Sequence, residues 1–223
     1  MAKPRKQLRR TRDRAEEILD YLFDDRNREI RRACKTIIRG ASRGLAIYPE
    51  LLEIDSLARK AGRASLPHTD FLNVQSFLWM LELEIACLLD DYIRSSNERR
   101  WLYARLLLLT LFESTKTLRR VFSIGYRRDL QEKLGPESAK EVSELHAYIH
   151  HAFEDLNRSC GEIRRGLVGH RDPDPAVRFK LLSSLSGIDI KDSAWELLEW
   201  CATFAQLQER YMLAIDKVSP RKG

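Results

Sequence analysis

A chain of 223 residues with 43% apolar side chains is long enough to bury a core and too hydrophobic for wholesale disorder. Its formal net charge of +6 is local, because residues 1–14 hold Lys3, Arg5, Lys6, Arg9, Arg10, Arg12 and Arg14 against Asp13 alone. The remainder is formally neutral, so any attraction to nucleic acid from charge belongs to a basic arm, in which Arg9, Arg10 and Arg12 are candidate RNA contacts. The competing reading of the arm is a solvated, fraying end.

With only 10 Gly and 7 Pro, most Pro lying between periodic segments, the chain reads as helices throughout. From about Thr11 to Ile38, Ala15, Ile18, Leu19, Leu22, Ile30, Ala33, Ile37 and Ile38 approximate one apolar stripe. Arg26, Arg28, Arg31, Arg32, Lys35 and Arg39 crowd the other side. Gly40 and Gly44 are expected to loosen the helix, and Tyr48-Pro49 and Pro67 to bracket a shorter one around Leu51–Ala61. Asp70–Ser95 is strongly apolar, interrupted by Glu82 and Glu84, and Ser96 or Asn97 caps a helix over Trp101–Phe122. There Leu106–Leu109 cover every direction, which calls for a central helix or a subunit interface.

Leu134-Gly135-Pro136 is a stop and restart, with Gly at the end of one helix and Pro opening the next. Val142, Leu145, Ile149, Phe153, Leu156, Cys160, Ile163 and Leu167 then follow at spacings of three and four, predicting a helix over Pro136–Val168. Asp172-Pro173 and Asp174-Pro175 end it. Asp189 or Asp192 caps a last helix that reaches about Lys217. No alternating β-branched run and no internal repeat is present. The expected fold class is all-α, a four-helix bundle over 67–218 with a basic, helical N-terminal extension over 1–66 and a short basic tail over 219–223.

Cys34, Cys87, Cys160 and Cys201 are scattered, without a Cys-x-x-Cys pair, and read as small buried hydrophobes in a reducing compartment. The N-terminal charges are not followed by an apolar core, and the longest uncharged apolar run, Leu106–Phe112, is too short to span a bilayer. The expectation is a soluble, cytoplasmic protein with no membrane partner. His146, His150 and His151 include a pair one turn apart, but no Glu or Cys is read as a partner at metal-ligand spacing, so no metal and no cofactor is expected.

The chemistry concentrates in Ile163-Arg164-Arg165-Gly166-Leu167-Val168-Gly169-His170-Arg171-Asp172-Pro173. Histidine is suited to proton transfer near neutral pH, and arginine presents fixed donors to a phosphate. Turning 100° per residue, Arg164 lies beside the apolar stripe in line with Asn157 and Arg171, while Arg165 faces away. Arg164 is therefore the better partner for His170. The two remain about 120° apart on a straight helix. Either Gly166 and Gly169 end the helix early, or two copies of it cross in a dimer and each site draws on both chains.

This stretch resembles the HEPN superfamily, whose members read Ile-Arg-Asn-x-x-Ala-Ala-His-Arg-Asp at the end of the third core helix. Ile163, Arg164, His170, Arg171 and Asp172 match, as does Ser186-Gly187-Ile188-Asp189 further on. Arg165 stands where the family usually has Asn; it can contact phosphate but cannot accept a hydrogen bond. The resemblance implies an all-α homodimer whose facing Arg/His motifs cleave RNA without a metal, in prokaryotic defence or a toxin–antitoxin system. Arg164 and His170 are then catalytic, with Arg165, Asp172 and Asn157 in support and Arg171 as an RNA contact. An antitoxin or a nucleotidyltransferase is the implied partner. The alternative is a non-catalytic HEPN-like dimer that serves as an RNA-binding or protein-interaction module.

Overall fold

The computed structural model describes residues 4–61, 69–95, 97–122, 124–135, 137–163 and 190–218, with the side chains of the first helix described from Asp24 onward except at 55, 58 and 59. All elements among these residues are helices: α1 (Pro4–Lys60), α2 (Thr69–Arg94), α3 (Asn97–Val121), α4 (Ile124–Leu134), α5 (Glu137–Ile163) and α6 (Ile190–Val218). The expected all-α class holds.

The hub is α2, which touches α1, α3 and α6. Leu78, Ile85, Ala86 and Leu89 are fully buried, and Leu81 nearly so. By length and apolar composition Leu72–Arg94 could cross a bilayer. Its place at the centre of a bundle accounts for the same composition, since a helix apolar on several sides needs neighbours on several sides. Against it pack Leu107, Leu108 and Leu111 of α3 and Ala194, Leu197, Leu198, Cys201, Phe204 and Leu207 of α6 in one continuous core.

The first helix departs from expectation. It is one element of 57 residues with Pro49 inside it, rather than two helices loosened at Gly40 and Gly44. It runs antiparallel to α2, with Arg31 on Asp90 and Tyr48 on Asn73. Ile30, Cys34 and Ala41 are buried, and Gly44 is held by close packing: a Cβ there would come within 2.3 Å of the Trp79 ring. Glycine is thus required for helix approach, and tertiary contact offsets its poor helix propensity. The half-buried Tyr48, Leu51 and Leu52 pack on the core around Pro49, helping to offset the backbone hydrogen bond that proline cannot donate.

Between α3 and α5 lies a short separate helix, α4, of which the sequence pattern marked only the end. Gly135 closes it as expected, with φ +85° and its N–H donating to the Gln131 carbonyl at 3.0 Å. Ser138 Oγ then donates to the Gly135 carbonyl at 2.7 Å and helps start α5. Polar ties lock α6 in place. The Trp200 indole donates to the Leu145 carbonyl at 2.9 Å, the Tyr211 hydroxyl donates to Asp129, and Gln208 donates to the Tyr126 hydroxyl at 2.9 Å.

Of the three described cysteines, Cys34 and Cys201 are fully buried thiols, as expected, whereas Cys87 is exposed. Burial, helped by nearby Asp90 and Cys87, pushes the Cys34 thiol up to about 12. None of the three is in a disulfide.

Candidate functional site

The helix that leads to the Arg/His motif is α5, and its burial grades along its length. Val142, Leu145 and Ile149 are buried at its start, Phe153 and Leu156 are half-buried, and Asn157 is exposed. The described part of the predicted stripe is therefore deepest at its start, and its members Cys160, Ile163 and Leu167 lie outside the described side chains. Arg164, Arg165, His170, Arg171 and Asp172 lie outside the described residues. Arg9, Arg10 and Arg12 fall on α1, and their side chains also lie outside the described residues. Asn157 is the one predicted site residue whose surroundings are described.

Two opposite electrostatic faces emerge on α5. With His146 as the zero direction, His150, Phe153 and Asn157 lie within about 40° of it, while Glu141, Glu144 and Tyr148 lie at about 160° to 220°. The glutamate side faces α6. There Glu141, Glu144, Tyr148, Glu196, Glu199, Trp200, Leu145 and Thr203 line a cleft of about 410 Å³. Arg210 pairs with Glu141, and Tyr148 donates weakly to Glu196 at 3.5 Å. Burial and the neighbouring Glu196 carboxylate push the Tyr148 hydroxyl up. An acidic cleft of this kind repels a phosphate backbone.

The histidine side faces α3 and α4 and carries the opposite sign. His146 stacks on Phe122 with ring centroids 6.1 Å apart, and His150 follows at 6.4 Å. The Arg119 guanidinium sits 4.5 Å from the centroid of the Phe153 ring, one turn beyond His150. Burial first, then the charges of Arg127, His150 and Arg119, hold the His146 imidazole below its ordinary value. Glu154 stands 3.5 Å from His150 Nδ1, a carboxylate neighbour that the sequence reading overlooked. Among the described residues no group of three His, Cys, Asp or Glu side chains could hold a metal ion.

Several arginines of the bundle are held by carboxylates. Arg26 pairs with Asp192, Arg31 and Arg94 with Asp90, and Arg210 with Glu141. Arg119 and Arg127 pair with no described carboxylate, and the Arg127 Nε is buried without a hydrogen-bond partner among the described residues. Sequence reasoning singled out His146 and His150 but missed both arginines. Projecting α5 as a wheel would have separated the histidines from the glutamates; the arginines come from other helices and leave no spacing signal.

No family model, curated protein or solved structure matches the chain.

Proposed function

We propose that the protein is a metal-independent endoribonuclease of HEPN type, acting in the cytoplasm as a homodimer in prokaryotic defence or with an antitoxin or nucleotidyltransferase partner. The observation that carries the reading is the string Ile163-Arg164 … His170-Arg171-Asp172 directly following the long helix α5 in an all-α chain. In this reaction the RNA 2′-hydroxyl attacks its own phosphate, leaving a cyclic phosphate on one product and a 5′-hydroxyl on the other. His170 exchanges protons with the attacking or leaving oxygen, and Arg164 stabilises charge on the phosphorane oxygens. Asp172 orients the imidazole, and Asn157 and Arg165 support the phosphate.

Dimerisation finds support on α3. Much of its apolar surface is used within the bundle, where Ala104, Leu107, Leu108, Leu111 and Phe112 are buried. Trp101, Leu102 and Leu106 remain exposed at 38%, 51% and 40%, an apolar strip suited to a second copy of the chain.

The deciding experiment is cleavage of structured and unstructured RNA in excess chelator. Arg164→Ala and His170→Ala are each expected to abolish the chemical step while RNA still binds. Arg165→Ala is expected mainly to weaken binding, because a peripheral phosphate contact acts in ground and transition states alike. Loss of cleavage in Arg165→Ala with a benign Arg164→Ala would move the motif to the shorter spacing. If neither arginine nor His170 affects any activity found, the non-catalytic RNA-binding or protein-interaction module is the correct reading. The substitution of Arg165 for the family's Asn is what favours that second reading.

A further inference from the structure

We propose that the face formed by Arg119 of α3, Arg127 of α4 and His146 and His150 of α5 is a phosphate-binding track that holds the RNA backbone on its way to the motif beyond α5. The inference rests on the nuclease reading for the identity of the ligand, and on this face alone for its place. Four cationic or protonatable side chains from three helices converge here. Arg127 and His150 both act electrostatically on His146, Arg119 does so as well, and Arg119 is anchored over Phe153. At three other places the bundle neutralises an interhelical arginine with a carboxylate, at Asp192, Asp90 and Glu141. Here the one described carboxylate at hand, Glu154, lies beside His150 and leaves both guanidiniums unpaired among the described residues.

A phosphate is the anion that fits. Guanidinium groups donate in a planar fork matched to phosphate oxygens. Direction along the helix also fits a polymer. His146, His150, Phe153 and the exposed Asn157 lie along one line of α5, and that line points toward the segment carrying Arg164. The opposite face, with its acidic cleft, cannot share the load. Half-buried Phe153 and the His146 ring stacked on Phe122 give the track a flat, partly apolar floor that restrains its cations.

A phosphate seated among these groups favours the charged imidazole. The groups facing His146 are Arg119 from α3, Arg127 from α4 and His150 from its own helix, with Glu154 one turn beyond. The fixed charges acting on it, Arg127 and Arg119, are both positive, so an arriving anion offsets them. RNA binding is therefore expected to take up a proton at His146 and to tighten as pH falls through the histidine range.

The test uses a short fluorescein-labelled oligouridylate blocked by 2′-O-methylation, so that it binds without being cut. By anisotropy, Arg119→Gln/Arg127→Gln is expected to weaken binding about tenfold and to flatten the dependence of log K on log salt by about 1.4, two phosphate contacts at about 0.7 each. The Arg119→Lys/Arg127→Lys pair is expected to recover most of the affinity, which a merely misfolded variant would not. Independently of any variant that must fold, NMR titration of the wild-type histidines should show the His146 pKa rising when the oligouridylate is added. Unchanged affinity and slope in the double Gln variant, or an unmoved His146, overturns the track. A full His146 response to inorganic phosphate at the same low concentration assigns the site to free phosphate and overturns the RNA assignment. The two readings fail separately. Cleavage that depends on His170 with RNA binding indifferent to Arg119 and Arg127 leaves the nuclease and removes the track. Binding that depends on both arginines in a protein that cuts no RNA does the reverse.

Discussion

Asp90 and Glu82 are carboxylates on the same helix, two turns apart, and the bundle treats them in opposite ways. Asp90 is buried and accepts from Arg31 Nε at 2.9 Å and Arg94 Nε at 3.1 Å, so its charge is matched by one cation from α1 and one from α2. Removing it leaves Arg31 partly buried and unpaired. Asp90→Ala is expected to destabilise by about 2–4 kcal/mol, read by urea denaturation, and Asp90→Asn by less because the amide oxygen still accepts. Glu82 has burial as the sole cause of its perturbation, which pushes its carboxyl up to about 7 from 4.5. The folded protein holds that proton over a range in which the unfolded chain has released it. Stability from this residue is therefore full below about 4.5, declines as pH rises through 7, and stays reduced above. Glu82→Gln is expected to match the wild type near pH 4 and to exceed it by roughly 2 kcal/mol at pH 8, after allowance for partial solvent access. A stability difference independent of pH would contradict this account.

Among the elements, α1 and α4 show where local sequence signals are outweighed. Glycine and proline weaken a helix in isolation, so Gly40, Gly44 and Pro49 read as breaks; α2 lies alongside and the Gly44 backbone lets Trp79 close in. Gly44→Ala is expected to cost about 1–3 kcal/mol by overpacking, more than the small gain in helix propensity. In a double-mutant cycle, Trp79→Ala should relieve most of that cost; additive losses would mean the two residues are not coupled. In α4 only Tyr126, Leu130 and Leu134 pack on the core, at four-residue spacing, a stripe of three residues too short to stand out among Arg127, Arg128, Asp129, Glu132 and Lys133. By contrast α2, α3, α5 and α6 each carry a stripe long enough to read, and α2, α3 and α6 begin and end within a few residues of the expected bounds, as does the start of α5; its expected end at Val168 lies outside the described residues. The Arg/His string can be picked out of the sequence because it is contiguous, and it lies outside the described residues. The Arg119–Arg127–His146 cluster cannot be picked out, because packing alone brings its three helices together.

At the scale of the molecule, distant parts of the chain are tied by charge and by core. Arg26 on α1 donates to Asp192 at the start of α6 at 3.0 Å, across 166 residues of sequence. The exposed Trp101, Leu102 and Leu106 predict a stable homodimer at micromolar concentration. Sedimentation equilibrium should give twice the chain mass of 26.0 kDa, and Leu102→Glu/Leu106→Glu should return it to the monomer with its helical content unchanged. Deleting residues 1–14 is expected to leave folding intact and to weaken RNA binding with a flatter salt dependence. The hub position of α2 has a further consequence, in time rather than in space. Ribosomes add about 5–20 residues per second, so α6 is complete roughly 5–19 s after the end of α3. During that interval the faces of α2 and α3 that α6 covers stand open in the nascent chain. The growing polypeptide is then a natural client for chaperones that hold apolar segments, and it ceases to be one when its last helix is seated.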